Sequence, residues 1–243
     1  MVGIGPGGLD HLTPAAGTAL AEAEVIVGYK TYLELIQELI AHKEVVVSSM
    51  MKEVDRCGQA LDLATSGRRV ALVCGGDPGI YAMAGLVYDL AVKRDLEVDI
   101  EVVPGVAALN ACAARLGAPL MHDFAVISLS DLLTPWALIE KRLAAAAMAD
   151  FVLVLYNPRS RKRTSQIERA RELILERQRA DTPVGIVTAA TRKEECVVLT
   201  DLASMLEHEI GMQSLVIIGN SQTYVDHGRM ITPRGYGDKY RLA

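Results

Sequence analysis

Short runs rich in β-branched residues alternate with longer stretches of helical periodicity from one end of this chain to the other. The first half offers candidate strands at 2–5, 24–28, 44–49, 69–74 and 98–103. Helical spacing recurs between them, as from Lys30 to Ala41, where Leu33, Ile36, Leu39 and Ile40 fall on one face. Thr13-Pro14 predicts a helix start, a capping hydroxyl followed by proline at the first helical position. Repeated strand–helix–strand units bury their apolar runs by forming a parallel sheet under a layer of helices. An α/β fold is therefore expected.

The rhythm breaks at Gly117-Ala118-Pro119, which predicts a boundary between a first domain, 1–117, and a second, 118–243. The second series reads strand 124–128, helix 135–147, strand 150–156, helix 164–179, strands 184–188 and 195–199, a short helix 201–208 and strand 214–218. Its β-branched runs follow one another closely, so a mixed sheet is expected there. Two α/β domains with a cleft between them is the predicted architecture. A chain of 243 residues that is 51% hydrophobic cannot be a disordered segment and is long enough to bury a large core.

No uncharged apolar run reaches the roughly 18 residues needed to span a bilayer, and the N-terminus lacks the basic and apolar regions of a signal peptide. A cytoplasmic protein without a membrane partner is expected; Met1 stands almost inside the first strand, which leaves the true start open. With 25 basic against 30 acidic side chains, the net charge of −5 argues against nucleic acid as the main partner. Cys57, Cys74, Cys112 and Cys196 form no C-x-x-C pair and the histidines are dispersed, so no protein metal site is expected.

Glycines gather where first-half strands end, the edge at which open α/β sheets bind ligands. Gly3-Ile4-Gly5-Pro6-Gly7-Gly8 matches the spacing of a dinucleotide fingerprint but not its context. Pro6 removes an N–H, and the helix starts only after Thr13, too late for a pyrophosphate to rest on its N-terminus. Cys74-Gly75-Gly76-Asp77-Pro78-Gly79 and Val103-Pro104-Gly105-Val106 repeat the pattern on the following strands. One such loop is an ordinary turn; three on one edge point to a shared ligand pocket.

Taken in order, Gly-Ile-Gly-Pro-Gly followed by His-Leu-Thr, then Gly-Gly-Asp-Pro-Gly-Ile-Tyr, then Val-Pro-Gly-Val-Ala-Ala-Leu-Asn-Ala, resemble the tetrapyrrole methylase family. The run from Pro119 to Trp136, the segment Tyr156-Asn157-Pro158-Arg159-Ser160 and the terminal Ile231–Tyr236 are similar to its precorrin-3B C(17)-methyltransferase branch in cobalamin biosynthesis. The resemblance implies a two-domain, non-Rossmann fold and methyl transfer from S-adenosyl-L-methionine to a ring carbon of a corrin precursor, with contraction of the macrocycle. It also implies a homodimer.

Carried onto this sequence, the donor-binding positions are Pro6, Gly75, Gly76, Asp77, Ile80, Tyr81, Ala107 and Ala108, with Tyr156 and Ala189 from the second domain. Asp77 is the expected partner of the donor's cationic amino-acid end. Corrin precursors carry many carboxylates, so the basic run from Arg159 to Arg163 is a candidate substrate contact, Arg159 and Arg161 first among it, with Ser128 and Ser130. His122, Asp123 and Asp131 are candidate general acids or bases. The chain departs from the family's usual pattern at Gly8, Ala107–Ala108 and Ala137. A methylase for another tetrapyrrole carbon, or for RNA or the diphthamide pathway, and a non-catalytic nucleotide-binding module are the alternatives.

Overall fold

The computed structural model describes residues 1–241, and the chain divides into two compact units, Met1–Ala108 and Leu109–Ala243. The last two residues of the expected second domain, 242–243, lie outside the described part. In the first unit the strands are β1 (Val2–Gly3), β2 (Val25–Tyr29), β3 (Glu44–Ser48) and β4 (Val70–Cys74), in the order β1-β4-β2-β3 and all parallel. Its helices are α1 (Pro14–Glu22), α2 (Lys30–Leu35), α3 (Gln37–Ile40), α4 (Glu53–Thr65) and α5 (Ala84–Lys93).

Strand alternation sorts the sheet's side chains into two cores. Ile26, Ala71 and Val73 pack with Ala16 and Leu20 of α1 and with Leu33, Ile36 and Ile40. Val25, Val27, Leu72 and Cys74 pack on the other face with Cys57, Ala60 and Leu61 of α4 and Val87 and Ala91 of α5. Covering both faces is what lets β2 be a continuous apolar run. Thr13 caps α1 as expected, its hydroxyl accepting from the Ala16 N–H at 3.1 Å.

Two first-half readings are corrected. The helix expected from Lys30 to Ala41 breaks at Ile36, which leaves the helical region at φ −121°. Its side chain is 2% exposed, so burial is kept while the helix is interrupted. The strand expected at 98–103 shrinks to a single parallel bridge, Val2 to Val103. Its neighbour β1 is two residues long, so it offers a ladder no longer than that.

The second unit is built on β6 (Phe124–Ser128), β7 (Val152–Tyr156), β8 (Pro183–Thr188), β9 (Cys196–Asp201) and β10 (Ser214–Ile218), with β5 (Gly117–Ala118) before them. The sheet order is β6-β7-β10-β8-β9; only β6–β7 is parallel, so it is mixed as expected. Its helices α6 (Ala108–Leu116), α7 (Trp136–Met148) and α8 (Ser165–Leu175) follow in chain order. Ile139 and Leu143 of α7 and Ile167, Ala170 and Ile174 of α8 pack on Leu153, Leu155, Ile186 and Val216.

The division between units falls nine residues before the expected Gly117, because α6 is fastened to the second unit. A Cβ on Gly185 of β8 would run into the Leu116 side chain, and Arg115 pairs with Glu195 at 2.8 Å. The helix expected at 201–208 is only a single 3₁₀ turn, Met205–Glu207, since β9 continues to Asp201. A three-stranded sheet the sequence did not suggest joins β11 (Tyr224–Asp226), β12 (Arg229–Ile231) and β5.

Candidate active site

Parallel strands deliver their following loops to one edge of a sheet. In the first unit this brings Gly3–Gly8, Gly75–Tyr81 and Pro104–Ala108 together after β1, β4 and Val103. The loops are tied by their backbones. Gly5 and Gly76 exchange two hydrogen bonds, 3.1 and 2.7 Å, and the Gly3 N–H donates to the Val103 carbonyl at 3.0 Å. Contact between Gly3 and Gly105 is so close that a Cβ on Gly3 would sit 2.7 Å from the Gly105 nitrogen. Gly76 holds φ +66°, a conformation that side chains resist.

Asp77 is central to this edge in a way its sequence position did not suggest. Its Oδ1 accepts from the Gly79 N–H at 2.8 Å and its Oδ2 from the Gly105 N–H at 3.1 Å. The carboxylate thus braces the second loop and joins it to the third. Each oxygen keeps lone-pair capacity for a cation. Pro6 and Ala107 are buried beside the brace and Ala108 half-buried, while Ile80 and Tyr81 expose apolar surface next to it. Tyr81 has φ +52°, an uncommon conformation for an aromatic residue and a mark of a constrained loop.

In the second unit the C-terminal ends of β6 and β7 carry a polar cluster. Ser128 Oγ accepts from Asn157 Nδ2 (2.9 Å) and from the Ser130 N–H (3.2 Å). Arg163 donates to the Asn157 carbonyl at 2.8 Å and to Ser130 Oγ at 3.4 Å. Asp131 accepts from Gln166 of α8 at 2.9 Å. Asn157 and Gln166 were not among the sequence candidates, the only signal for them being their place in or beside the Tyr156–Arg163 segment, whereas Arg163 closes the basic run 159–163 that the sequence offered for carboxylates. Tyr156 turns its hydroxyl to accept from the Leu109 N–H at 3.0 Å, and buried Ala189 directly follows β8 at φ +50°. Arg161 is exposed and Arg159 half-buried.

The candidate acids and bases do not share one place. His122 and Asp123 precede β6, whereas Ser128, Ser130 and Asp131 end or follow it, roughly 13 Å away along a five-residue strand. His122 and Asp123 instead border a concavity of about 580 Å³ with Met121, Phe151 and Arg234. The Asp123 N–H donates to His122 Nδ1 at 2.8 Å, a local bond within one turn. Among the described residues no group of three or more histidine, cysteine or acidic side chains is placed to hold a metal. No helix of the described chain is long and apolar enough to cross a membrane.

The family model for tetrapyrrole (corrin/porphyrin) methylases matches residues 1–206. The chain belongs to this family. The methylase is 51% identical over 236 residues to a probable cobalt-factor III C(17)-methyltransferase of Salmonella typhimurium, covering 97% of this chain and 98% of that one. It is 50% identical over 246 residues to the cobalt-factor III methyltransferase of Priestia megaterium, of which it spans about half the length, 46%. The crystal structure of the methyltransferase CobJ matches with a TM-score of 0.88 and 35% identity, covering 96% of this methylase and 98% of CobJ. Methylases of this family use S-adenosylmethionine as donor.

Proposed function

We propose that this chain transfers a methyl group from S-adenosyl-L-methionine to carbon 17 of a corrin precursor of cobalamin, with contraction of the macrocycle. The precursor is cobalt-factor III, the substrate in the relatives' names, or precorrin-3B. The observation that carries the reading is the end-to-end likeness to the Salmonella relative, which spans both units. The first unit's loop edge suits the donor. It presents glycine backbone without side chains, a braced carboxylate at Asp77 for a cationic amino group, and apolar surface at Ile80 and Tyr81 for a planar base.

When bound, the sulfonium supplies an already activated methyl group, so the protein's task is orientation and exclusion of water. Gly75, Gly76, Pro6, Ala107 and Ala108 shape the donor's seat, and the Asp77 brace fixes the distance between two of its walls. In the second unit Ser128, Ser130, Arg159 and Arg161 meet the substrate's polar rim. Asp131, held by Gln166 beside Ser130, is the better placed of the acid–base candidates, because His122 and Asp123 lie at the opposite end of β6. Tyr156 and Ala189 are the second unit's own donor candidates. The enzyme works in the cytoplasm as a homodimer, for which light scattering at micromolar concentration is the check.

Incubation with the donor and each precursor in turn, followed by mass spectrometry, tests the reading. One added methyl on the cobalt-bearing or the metal-free precursor is expected. Donor binding without transfer to either would leave a binding module and overturn it.

A further inference from the structure

The loops after β6 and β7 hold a cation that no acid answers. Arg163 is half-buried and fastened from two sides, by the Asn157 carbonyl and by Ser130 Oγ. Its Nε is buried with no hydrogen-bond partner, and among the described residues it makes no ion pair, unlike Arg115, Arg169 and Arg179 of the same unit. Asp131, on the neighbouring loop, is engaged by Gln166 instead. A guanidinium has more donors than these two bonds use, and a half-buried cation without a counter-charge is costly to keep. Each terminal nitrogen keeps one N–H beyond the bond it makes, and such charged donors suit a carboxylate.

Apolar surface follows Ser130 in the same loop. Leu132 and Leu133, directly after Ser130-Asp131, are 74% and 98% exposed. Such a combination suits a ligand with carboxylates around the rim of a broad apolar ring. Arg159 and Arg161 precede it in the same segment, but among the described residues neither side chain is fastened by a hydrogen bond to the loops as Arg163 is. A fork already held in place loses less freedom on binding, and so discriminates better.

We propose that Arg163 is the residue by which this enzyme recognises one carboxylate of its tetrapyrrole, with Leu132 and Leu133 bearing on the apolar face of the ring. This rests on the functional reading above. The test is calorimetry of the full chain with two probes: cobyrinic acid, a corrin with free carboxylates, and the same corrin with every carboxylate methyl-esterified. S-adenosylhomocysteine is titrated in parallel. Wild type should prefer the acid. Arg163→Gln should bind the acid about tenfold to a hundredfold more weakly, as for one lost charge-assisted contact. Its affinity for the ester and for S-adenosylhomocysteine should be unchanged.

An Arg163→Gln chain that keeps the wild-type preference for the acid overturns the assignment. So does equal loss of acid and ester, which would make Arg163 a loop brace alone. If that variant does not fold, Arg163→Lys decides by the same comparison, because it keeps the charge but loses the fork. A wild-type chain that binds S-adenosylhomocysteine and neither corrin overturns the functional reading itself, before any variant is made.

Discussion

Gly105 shows how much of the first unit's loop edge depends on a missing side chain. A Cβ there would collide with the Gly76 carbonyl and the Gly3 backbone, so Gly105→Ala should cost at least ~2 kcal/mol and lower Tm, read by thermal unfolding. Asp77→Asn keeps the size of the side chain but leaves one carbonyl oxygen for two backbone donors. A loss of about 1–2 kcal/mol is expected, together with weaker binding of S-adenosylhomocysteine. The thiols behave differently. Burial pushes Cys57 and Cys112 up to about 12, and Cys74 is raised for the same reason, whereas Cys196 is exposed. A native titration with a thiol reagent should therefore find one fast cysteine, and all four only after denaturation. The folded state favours the protonated thiols. Stability is thus level below the ordinary thiol range and falls as pH climbs towards 12, by ~1.4 kcal/mol per pH unit for each buried thiol. Cys57→Ala with Cys112→Ala should flatten that decline in urea unfolding. At this scale the three Pro/Gly loops were legible, because glycine and proline announce backbone needs locally. Asp77's role as a brace was not, since its partner Gly105 is remote in sequence, and neither was the isolation of Arg163.

Among the elements, α6 tests where one unit ends and the next begins. Leu116 is fully buried, its side chain filling the space that Gly185 leaves open on β8. Leu116→Ala should destabilise the second unit by roughly 2–5 kcal/mol through the cavity it opens. Limited proteolysis should then show cleavage beginning in the second unit while fragments of the first persist; earlier loss of the first unit would place α6 with it. Elements with strong local signals were readable from the sequence: Thr13-Pro14 opening α1, the unbroken apolar run of β2, the close succession of strands in the second unit. Those decided by neighbours were not. Val98–Val103 has strand composition, but β1 offers it only a short edge. Helix periodicity continued through Ile36, where the chain bends while the side chain stays in the core. Strands as short as β5, β11 and β12 carry too few residues to show a period.

For the whole molecule, the proposed function assigns donor binding to the first unit's loops and substrate binding to the second unit's polar cluster. Family membership, read from ordered motifs across the chain, agrees with the model that matches residues 1–206. The motifs identify the family; which carbon a member methylates is a matter of how its substrate is oriented. The most direct measurement uses donor labelled with ¹³C in its methyl group, incubated with the corrin precursor, and locates the label in the product by NMR. The account predicts a single labelled methyl on carbon 17. A label on any other ring carbon, or none despite tight donor binding, would contradict it.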